Sequence, residues 1–170
     1  VNLPGRSARR ALHEVCLRAN RRFAPRFARI LLAAGAEVDA QDEDGRTPMM
    51  HCVTARHRFE DSDSDDENDA EGTPEHTILM MLLERTVDGD KRDARGLTAL
   101  MIAAKADRVD AVTLLVQYSD VDILAKDEKG RTALHMAARV GSFKTVKALL
   151  NCGHDVRVCD DEGNQPIHAA

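Results

Sequence analysis

The chain has 170 residues, of which 43% are apolar, 31% charged and 3% aromatic, and its formal net charge is −5. This length predicts one domain, since domains run to roughly 150 residues. The acidic balance and the shortage of rings argue against a dedicated nucleic-acid binder, because phosphate binding needs basic residues and base stacking needs aromatics. No stretch of about 18 apolar residues predicts a membrane span, and the first ten residues lack the apolar core of a secretion signal.

The first predicted unit, residues 8–40, is strongly basic. Residues 1–34 contain eight Arg and one acidic residue, a local charge of +7. Apolar residues are interleaved with these Arg residues, so we expect an amphipathic helical face with the Arg side chains exposed. The residues expected in its core are Val15, Leu17, Phe23, Phe27 and Ile30. A nucleic-acid or localisation patch is the alternative interpretation, although both Phe residues are then needed for base contacts as well as for the core.

The second unit, residues 41–91, contains an acidic insertion at 58–75. Within it, residues 60–71 read EDSDSDDENDAE, with eight acidic residues and no basic one. A long connection of like charges favours disorder. Ser62 and Ser64 each have an acidic residue three positions later, a pattern that resembles the target of acid-directed kinases; a solvated spacer with incidental serines is the alternative. A further hypothesis is that the acidic segment folds back on the Arg-rich first unit and masks it.

The remaining chain divides into units at residues 92–125, 126–158 and 159–170, the last of them truncated. The second to fifth units each begin with an Asp-x-x-Gly turn, and the turn glycines are Gly45, Gly96, Gly130 and Gly163. Their spacings of 51, 34 and 33 residues fit a period near 33 with one insertion of 18. In such a turn the carboxylate accepts from backbone amides two or three residues on, and glycine adopts the positive φ.

Each turn leads into a pair of short helices. The residue that follows it by two positions is an expected N-cap, at Thr47, Thr98 and Thr132. A short first helix then precedes a more apolar second helix, such as 109–116 or 143–150. Gly35 and Gly153 are expected to end second helices in a left-handed conformation, whereas Thr86 stands at that position in the second unit.

These units resemble ankyrin repeats, whose 33-residue unit carries the signature T-P-L-H-x-A. The matching segments are TALMIAA from Thr98, TALHMAA from Thr132, QPIHAA from Gln165 and a degenerate RALHEVC from Arg10. The resemblance implies an all-α solenoid of four to five stacked helix-turn-helix units, part of a longer array, with projecting β-hairpin loops. It also implies that His135 and His168, at the fourth signature position, hydrogen-bond neighbouring turns and have a structural role.

Nothing in the sequence predicts catalysis, a metal site or a cofactor. The four cysteines, Cys16, Cys52, Cys152 and Cys159, are too scattered for a disulfide scaffold, and the nearest pair is separated by six residues, not the two to four of zinc sites. Only one His per repeat occupies the signature position, and no ligand lies beside it. We therefore expect a non-enzymatic protein in a reducing compartment, the cytoplasm or the nucleus.

The resemblance implies that the tips of the turns and the ends of the first helices line one concave face that contacts a partner. The corresponding residues are Asp44, Arg46, Arg95, Leu97, Lys105, Glu128, Lys129, Arg131, Arg139, Asp161, Glu162 and Asn164. The central part of this set is basic, which predicts a partner with an acidic or phosphorylated segment, and Leu97 is a candidate apolar contact. Ordinary solvated surface is the alternative for any single residue.

The function expected from these features is protein–protein interaction, in a scaffold or adaptor of signalling or ubiquitin-ligase recruitment. The alternatives are a regulatory domain of a larger enzyme or channel, a nuclear transcription-associated factor and a purely structural spacer. The fold cannot decide among them, because one fold hosts many functions.

Overall fold

The computed structural model describes residues 11–55, 73–85, 87–118 and 120–169. Their helices are α1 (Ala11–Leu17), α2 (Ala24–Ala33), α3 (Pro48–Cys52), α4 (Pro74–Leu83), α5 (Ala99–Lys105), α6 (Val109–Tyr118), α7 (Ala133–Val140), α8 (Phe143–Asn151) and a final 3-10 helix, Pro166–Ala169. These described ranges contain no strand, so the projecting loops are tight turns. The expected all-α architecture is confirmed.

The helices form two layers. The first helices of the repeats, α1, α3, α5 and α7, pack side by side in chain order, and the 3-10 helix continues their row. The second helices, α2, α4, α6 and α8, form the other row, and each packs on the first helix of its own repeat. Each repeat therefore buries its apolar face largely against its neighbours, which is the architecture of a solenoid.

Threonine caps begin the helices where the sequence predicts them. The Thr47 and Thr98 side chains accept hydrogen bonds from backbone N–H groups three residues later, and Thr132 is the N-cap of α7. Gly35 and Gly153, at the ends of second helices, have φ angles of 78° and 90°, the expected left-handed conformation. Thr86 lies outside the described residues.

The acidic insertion separates α3 from α4. Residues 56–72 lie outside the described part of the chain, and with them Ser62, Ser64, the segment 60–71 and its expected contact with the first unit. The far boundary of the predicted insertion, 58–75, needs correction. Thr73 caps α4, which begins at Pro74, and Glu75 is 2% exposed within that helix. The insertion therefore ends before Thr73.

Alanines line the contacts between neighbouring repeats. Ala103, Ala104 and Ala137 are fully buried, and their small side chains allow the first helices to approach closely. Leucine and methionine fill the space between the two layers, with Leu100 and Met101 each 1% exposed. Close packing of this kind leaves little room for rings, which accounts for the low aromatic content.

The expected core role of the aromatic residues in the first unit is wrong. Phe23, Phe27 and Ile30 are 55%, 57% and 63% exposed, and Leu17 is 39% exposed, whereas Val15 is partly buried against the core. The reason lies in the face of α2 that is used for packing. Its buried residues are Ala24, Ala28 and Leu32. The large apolar side chains lie on a different face, which neither α1 nor α4 covers.

Candidate partner-binding surface

The tips of the four turns are fixed by aspartates. Asp42 Oδ1 accepts hydrogen bonds from the N–H groups of Asp44 (3.0 Å) and Arg46 (2.9 Å). The same pattern of acceptance, two and four residues on, recurs at Asp93, Asp127 and Asp160. The sequence pattern predicted amides two or three residues on, so the second partner is one residue further along. These bonds hold each tip in one conformation.

Neighbouring tips also contact each other through their backbones. The Ala94 N–H donates to the Asp44 carbonyl oxygen at 2.8 Å, and the Asp161 N–H donates to the Lys129 carbonyl oxygen at 3.1 Å. Both approaches need glycine in the preceding turn. A Cβ at Gly45 would lie 2.9 Å from the nitrogen of Ala94, a distance that real side chains do not reach. The turn tips therefore form a rigid row.

A second set of contacts along this row was not predicted from the sequence. The residue before each turn aspartate donates from its side chain to the backbone of the equivalent residue in the next repeat. Gln41 donates to the Arg92 carbonyl oxygen (2.8 Å), Arg92 to that of Lys126, and Lys126 to that of Cys159 (2.9 Å). The signal in the sequence was a long polar side chain before Asp42, Asp93 and Asp127 and its replacement by Cys before Asp160.

Most of the predicted partner-binding residues are on the surface. Those that the structure exposes are Asp44, Arg95, Lys105, Glu128, Lys129, Arg139, Asp161 and Glu162, while Arg46, Arg131 and Asn164 are half-buried. Leu97 is only 6% exposed and belongs to the hydrophobic core. Its expected role as an apolar partner contact is corrected accordingly, since its side chain has little surface to offer.

Two of the predicted arginines hold the turns together. Arg131 contacts Asp127 Oδ2 through Nε (3.0 Å) and a terminal nitrogen (2.7 Å). Burial would raise the pKa of Asp127, but the Arg131 guanidinium and the backbone amides lower it below its ordinary value. Arg46 reaches the carboxylate of the next repeat's Asp93 at 3.7 Å. Sequence alone shows these arginines as unpaired charges, because the pairing depends on the direction of the side chains.

The exposed cations concentrate in the middle repeats. We call Arg95, Lys105, Lys129 and Arg139 the basic face: the first and third lie on the tips of two turns, the second and fourth at the ends of α5 and α7. Acidic residues border it at both ends of the row of tips, with Asp44 in the first turn and Asp161 and Glu162 in the last. An anion that reaches the centre of the row therefore encounters cations, and one that reaches either end is repelled.

The histidines of the signature have structural partners. His135 Nδ1 accepts from the Thr132 N–H at 3.2 Å, and Nε2 lies 3.1 Å from the Asn164 carbonyl oxygen in the next turn. His168 Nδ1 accepts from the Gln165 N–H at 3.1 Å. The described residues contain no group of three or more His, Cys, Asp or Glu side chains placed to hold a metal ion. No described helix combines the length and apolar character needed to cross a membrane.

Comparison with known proteins agrees with this geometry. The family model for ankyrin repeats, in three copies, matches residues 70–160, more than half of the chain. The chain is 33% identical to Protein lin-12 of Caenorhabditis elegans over 151 residues, which are 72% of this chain and 11% of that protein. It is 36% identical to Inversin of Gallus gallus (54% of this chain, 8% of that protein). It is 32% identical to Neurogenic locus notch homolog protein 2 of Homo sapiens (74% and 4%). The chain thus spans about a tenth or less of these relatives.

Proposed function

Because the chain belongs to the ankyrin-repeat family, whose repeats bind other proteins, we propose that it binds a partner through an acidic or phosphorylated segment on its basic face. The observation that supports this proposal is the combination of rigidity and charge. The row of tips is held by aspartate and backbone hydrogen bonds. A rigid surface loses little conformational entropy on binding, and its cations are already in position.

The partner's anionic groups contact Lys105, Lys129 and Arg139 first, because these side chains are exposed. Arg131 contributes less than its charge suggests, since its guanidinium is paired with Asp127. Exposed charges of this kind raise the rate of association and fix the orientation of the partner more than they raise affinity. Binding therefore weakens as salt concentration rises.

The test is a charge reversal on the basic face with a matched reversal elsewhere. The variant Lys129→Glu/Arg139→Glu is compared with Lys144→Glu/Lys147→Glu, which makes the same change on the exposed surface of α8. The probes are a fluorescein-labelled peptide containing consecutive glutamates and a phosphoserine counterpart, measured by fluorescence anisotropy. We expect the first variant to weaken binding at least about tenfold and the second to leave it nearly unchanged. Equal effects of both variants, or none, would reject this face.

A role as a scaffold or adaptor, in signalling or in ubiquitin-ligase recruitment, follows from this proposal, with the cytoplasm or nucleus as its compartment. A regulatory domain of a larger protein is the second candidate function. It is favoured by the fact that the chain spans at most 11% of the relatives described above. Crosslinking and mass spectrometry in the native cell, with and without the basic-face variant, distinguishes a separate partner from a contact within one longer polypeptide.

The acidic segment 60–71 has a proposed regulatory role. Its eight acidic residues oppose the +7 charge of residues 1–34, and phosphates on Ser62 and Ser64 would add about −1.5 to −2 charges each. We propose that this segment masks the Arg-rich first unit. Deletion of 60–71 is then expected to raise affinity for heparin, used as a polyanion probe, at low salt. An unchanged affinity would refute the masking.

A further inference from the structure

The surface of α2 carries an apolar stripe that its packing does not use. Phe23, Phe27 and Ile30, which we call the α2 stripe, are spaced by four and three residues, so they lie on one side of the helix. Each is more than half exposed. Three large apolar side chains that are exposed together on one helix are unusual on a monomer surface and indicate a site of interaction.

The later repeats show what covers these positions. Aligned on the residues that end the second helices, the counterparts of Phe27 are Ile78, Ala111 and Thr145, and their exposures are 0%, 3% and 0%. The counterparts of Ile30 are likewise buried or half-buried, at Met81, Leu114 and Ala148. In each later repeat a preceding second helix packs against the second helix. The described residues provide no such helix for α2, so its stripe has the shape that a helix covers.

The charge beside the stripe specifies the kind of helix. Arg22, Arg26 and Arg29, the arginine row, follow the stripe one residue earlier along α2, and all three are exposed. The guanidinium groups of Arg22 and Arg26 lie 6.0 Å and 5.8 Å from the centre of the Phe23 ring, so the positive charge borders the apolar surface directly. A helix packed on the stripe brings its own flanking residues next to this row, and acidic residues there are attracted while basic ones are repelled.

Segments of the same chain do not match this requirement. Residues 1–10 contain three Arg and no acidic residue, so they cannot supply the acidic flank. Residues 60–71 supply acidic residues, but alanine is their only apolar side chain. Neither segment combines large apolar residues with acidic ones.

A second copy of the chain does not match it either. The opposite end of the solenoid exposes Phe143 and Ile167, at 76% and 75%, and could meet the stripe head to tail. However, Lys144 and Lys147 lie beside Phe143 on the same exposed surface of α8. Such stacking would bring these lysines close to the arginine row, and like charges at an interface are unfavourable.

We propose that the α2 stripe and the arginine row together bind an acidic amphipathic helix of a partner protein, which packs on α2 as a preceding second helix packs on each later one. This site lies on the helical end of the array and is separate from the basic face on the turns. The partner helix inserts apolar side chains at spacings of three and four residues between those of the stripe. Its glutamate or aspartate residues contact the arginine row.

The experiment uses the whole chain and a designed probe. The probe is a labelled peptide of about 18 residues, roughly five helical turns, with leucines along one face and glutamates beside them, held helical by a lactam bridge. A second peptide replaces every glutamate by lysine. We expect the chain to bind the glutamate peptide at least about tenfold more tightly than the lysine peptide in fluorescence anisotropy. Failure to bind the glutamate peptide, or equal binding of both, overturns the proposal.

Matched variants locate the binding. Phe27→Ser/Ile30→Ser is expected to weaken the glutamate peptide at least about tenfold, while Phe143→Ser, which removes an equally exposed ring from α8, leaves it unchanged. Arg26→Glu/Arg29→Glu is expected to reverse the preference between the two peptides, and Lys144→Glu/Lys147→Glu is the control. Thermal unfolding confirms that each variant is folded, which is expected because all the altered side chains are exposed. Equal weakening by the Phe143 variant overturns the proposal.

Two further outcomes would assign the stripe to another occupant. Sedimentation that shows self-association of the chain, lost in Phe27→Ser/Ile30→Ser, would identify a second copy. Binding to vesicles of phosphatidylcholine and phosphatidylserine that is lost in the same variant, without binding of the glutamate peptide, would identify a membrane surface. Either result overturns the acidic helix. A monomeric chain that ignores the vesicles and binds the glutamate peptide supports it.

Discussion

The Nε2 atom of His135 lies 3.1 Å from the backbone carbonyl oxygen of Asn164 and donates to it, which links one repeat to the turn of the next. The other ring nitrogen accepts from the Thr132 N–H, so both atoms are used and the ring is 2% exposed. The first repeat contains the same device. Its His13 Nε2 lies 3.0 Å from the Ala40 carbonyl oxygen in the following turn. Imidazole therefore couples neighbouring repeats at two points along the solenoid.

Replacing His135 tests this coupling. We expect His135→Leu to lower the free energy of unfolding by about 1–3 kcal/mol, because the Thr132 amide and the Asn164 carbonyl group both lose their partner. The matched change is His168→Leu, at the same signature position but on an exposed ring with one described bond, to the Gln165 amide. Urea unfolding followed by circular dichroism measures both. Equal losses would show that the bond between repeats contributes nothing.

Glycine in the turns is required to different degrees. Gly130 has a φ of 69°, and a Cβ there would lie 2.8 Å from the backbone nitrogen of Asp161. Gly163 has a φ of 81°, but a Cβ there would meet no atom within 4 Å. Gly163→Ala is therefore expected to cost about 1–2 kcal/mol from backbone strain alone. Gly130→Ala is expected to cost more, since the neighbouring turn must also move. Thermal unfolding ranks the two, and the reverse order would contradict the stacking of the tips.

The side-chain ladder before the turns makes a measurable contribution. Lys126 donates to the Cys159 carbonyl oxygen at 2.9 Å. Lys126→Met keeps much of the length of the side chain but removes the donor, and we expect a loss of about 1 kcal/mol in the free energy of unfolding. Lys147→Met on α8 is the control for the charge, because that side chain is exposed and no described hydrogen bond involves it. The ladder has no energetic role if the two variants unfold alike.

The repeats could be found from the sequence because each is encoded locally. A turn aspartate, its glycine and a capping threonine act within a few residues of one another, so the pattern around Thr98 or Thr132 predicts the start of a helix wherever it occurs. The surface of the repeats is decided by contacts between units. Leu97 is buried and Phe27 is exposed, although hydrophobicity alone suggests the reverse roles. Arg131 is a free charge in the sequence and a paired one in the structure.

Stability is expected to fall as the pH drops below neutrality. His51 Nε2 lies 2.8 Å from Asp42 Oδ2, and its buried Nδ1 has no hydrogen-bond partner among the described residues. Burial lowers the pKa of His51, and the nearby Asp42 only partly offsets this effect. The folded chain therefore holds the neutral ring, whereas the unfolded chain binds a proton below about pH 6.5. Stability from this group is full above pH 6.5 and declines towards the lower folded pKa. Burial also lowers the pKa of His154, which adds in the same direction.

Urea unfolding at three pH values between neutral and about 5 measures this dependence. His51→Gln is expected to lose less stability over that interval than the unaltered chain, whatever its stability at neutral pH. His76→Gln, on the exposed surface of α4, is the matched control and should keep the full dependence. An unchanged slope in the His51 variant would assign the pH dependence to other groups.

The four thiols are expected to react in two classes. Cys16 and Cys52 are 0% and 1% exposed, while Cys152 and Cys159 are partly exposed. Burial raises the pKa of Cys16, and burial together with the nearby Glu75 raises that of Cys52 to about 12. The thiolate is the reactive form, so the buried pair is both inaccessible and protonated.

An aromatic disulfide reagent is therefore expected to label the two partly exposed thiols in the folded chain and all four only after unfolding. The double variant Cys152→Ser/Cys159→Ser should lose the fast reaction entirely while it keeps the slow one. Because the slow reaction needs local or global opening of the first two repeats, its rate reports their stability separately from that of the last repeats. Rapid labelling of Cys16 or Cys52 in the folded double variant would show that α1 and α3 are not packed as described.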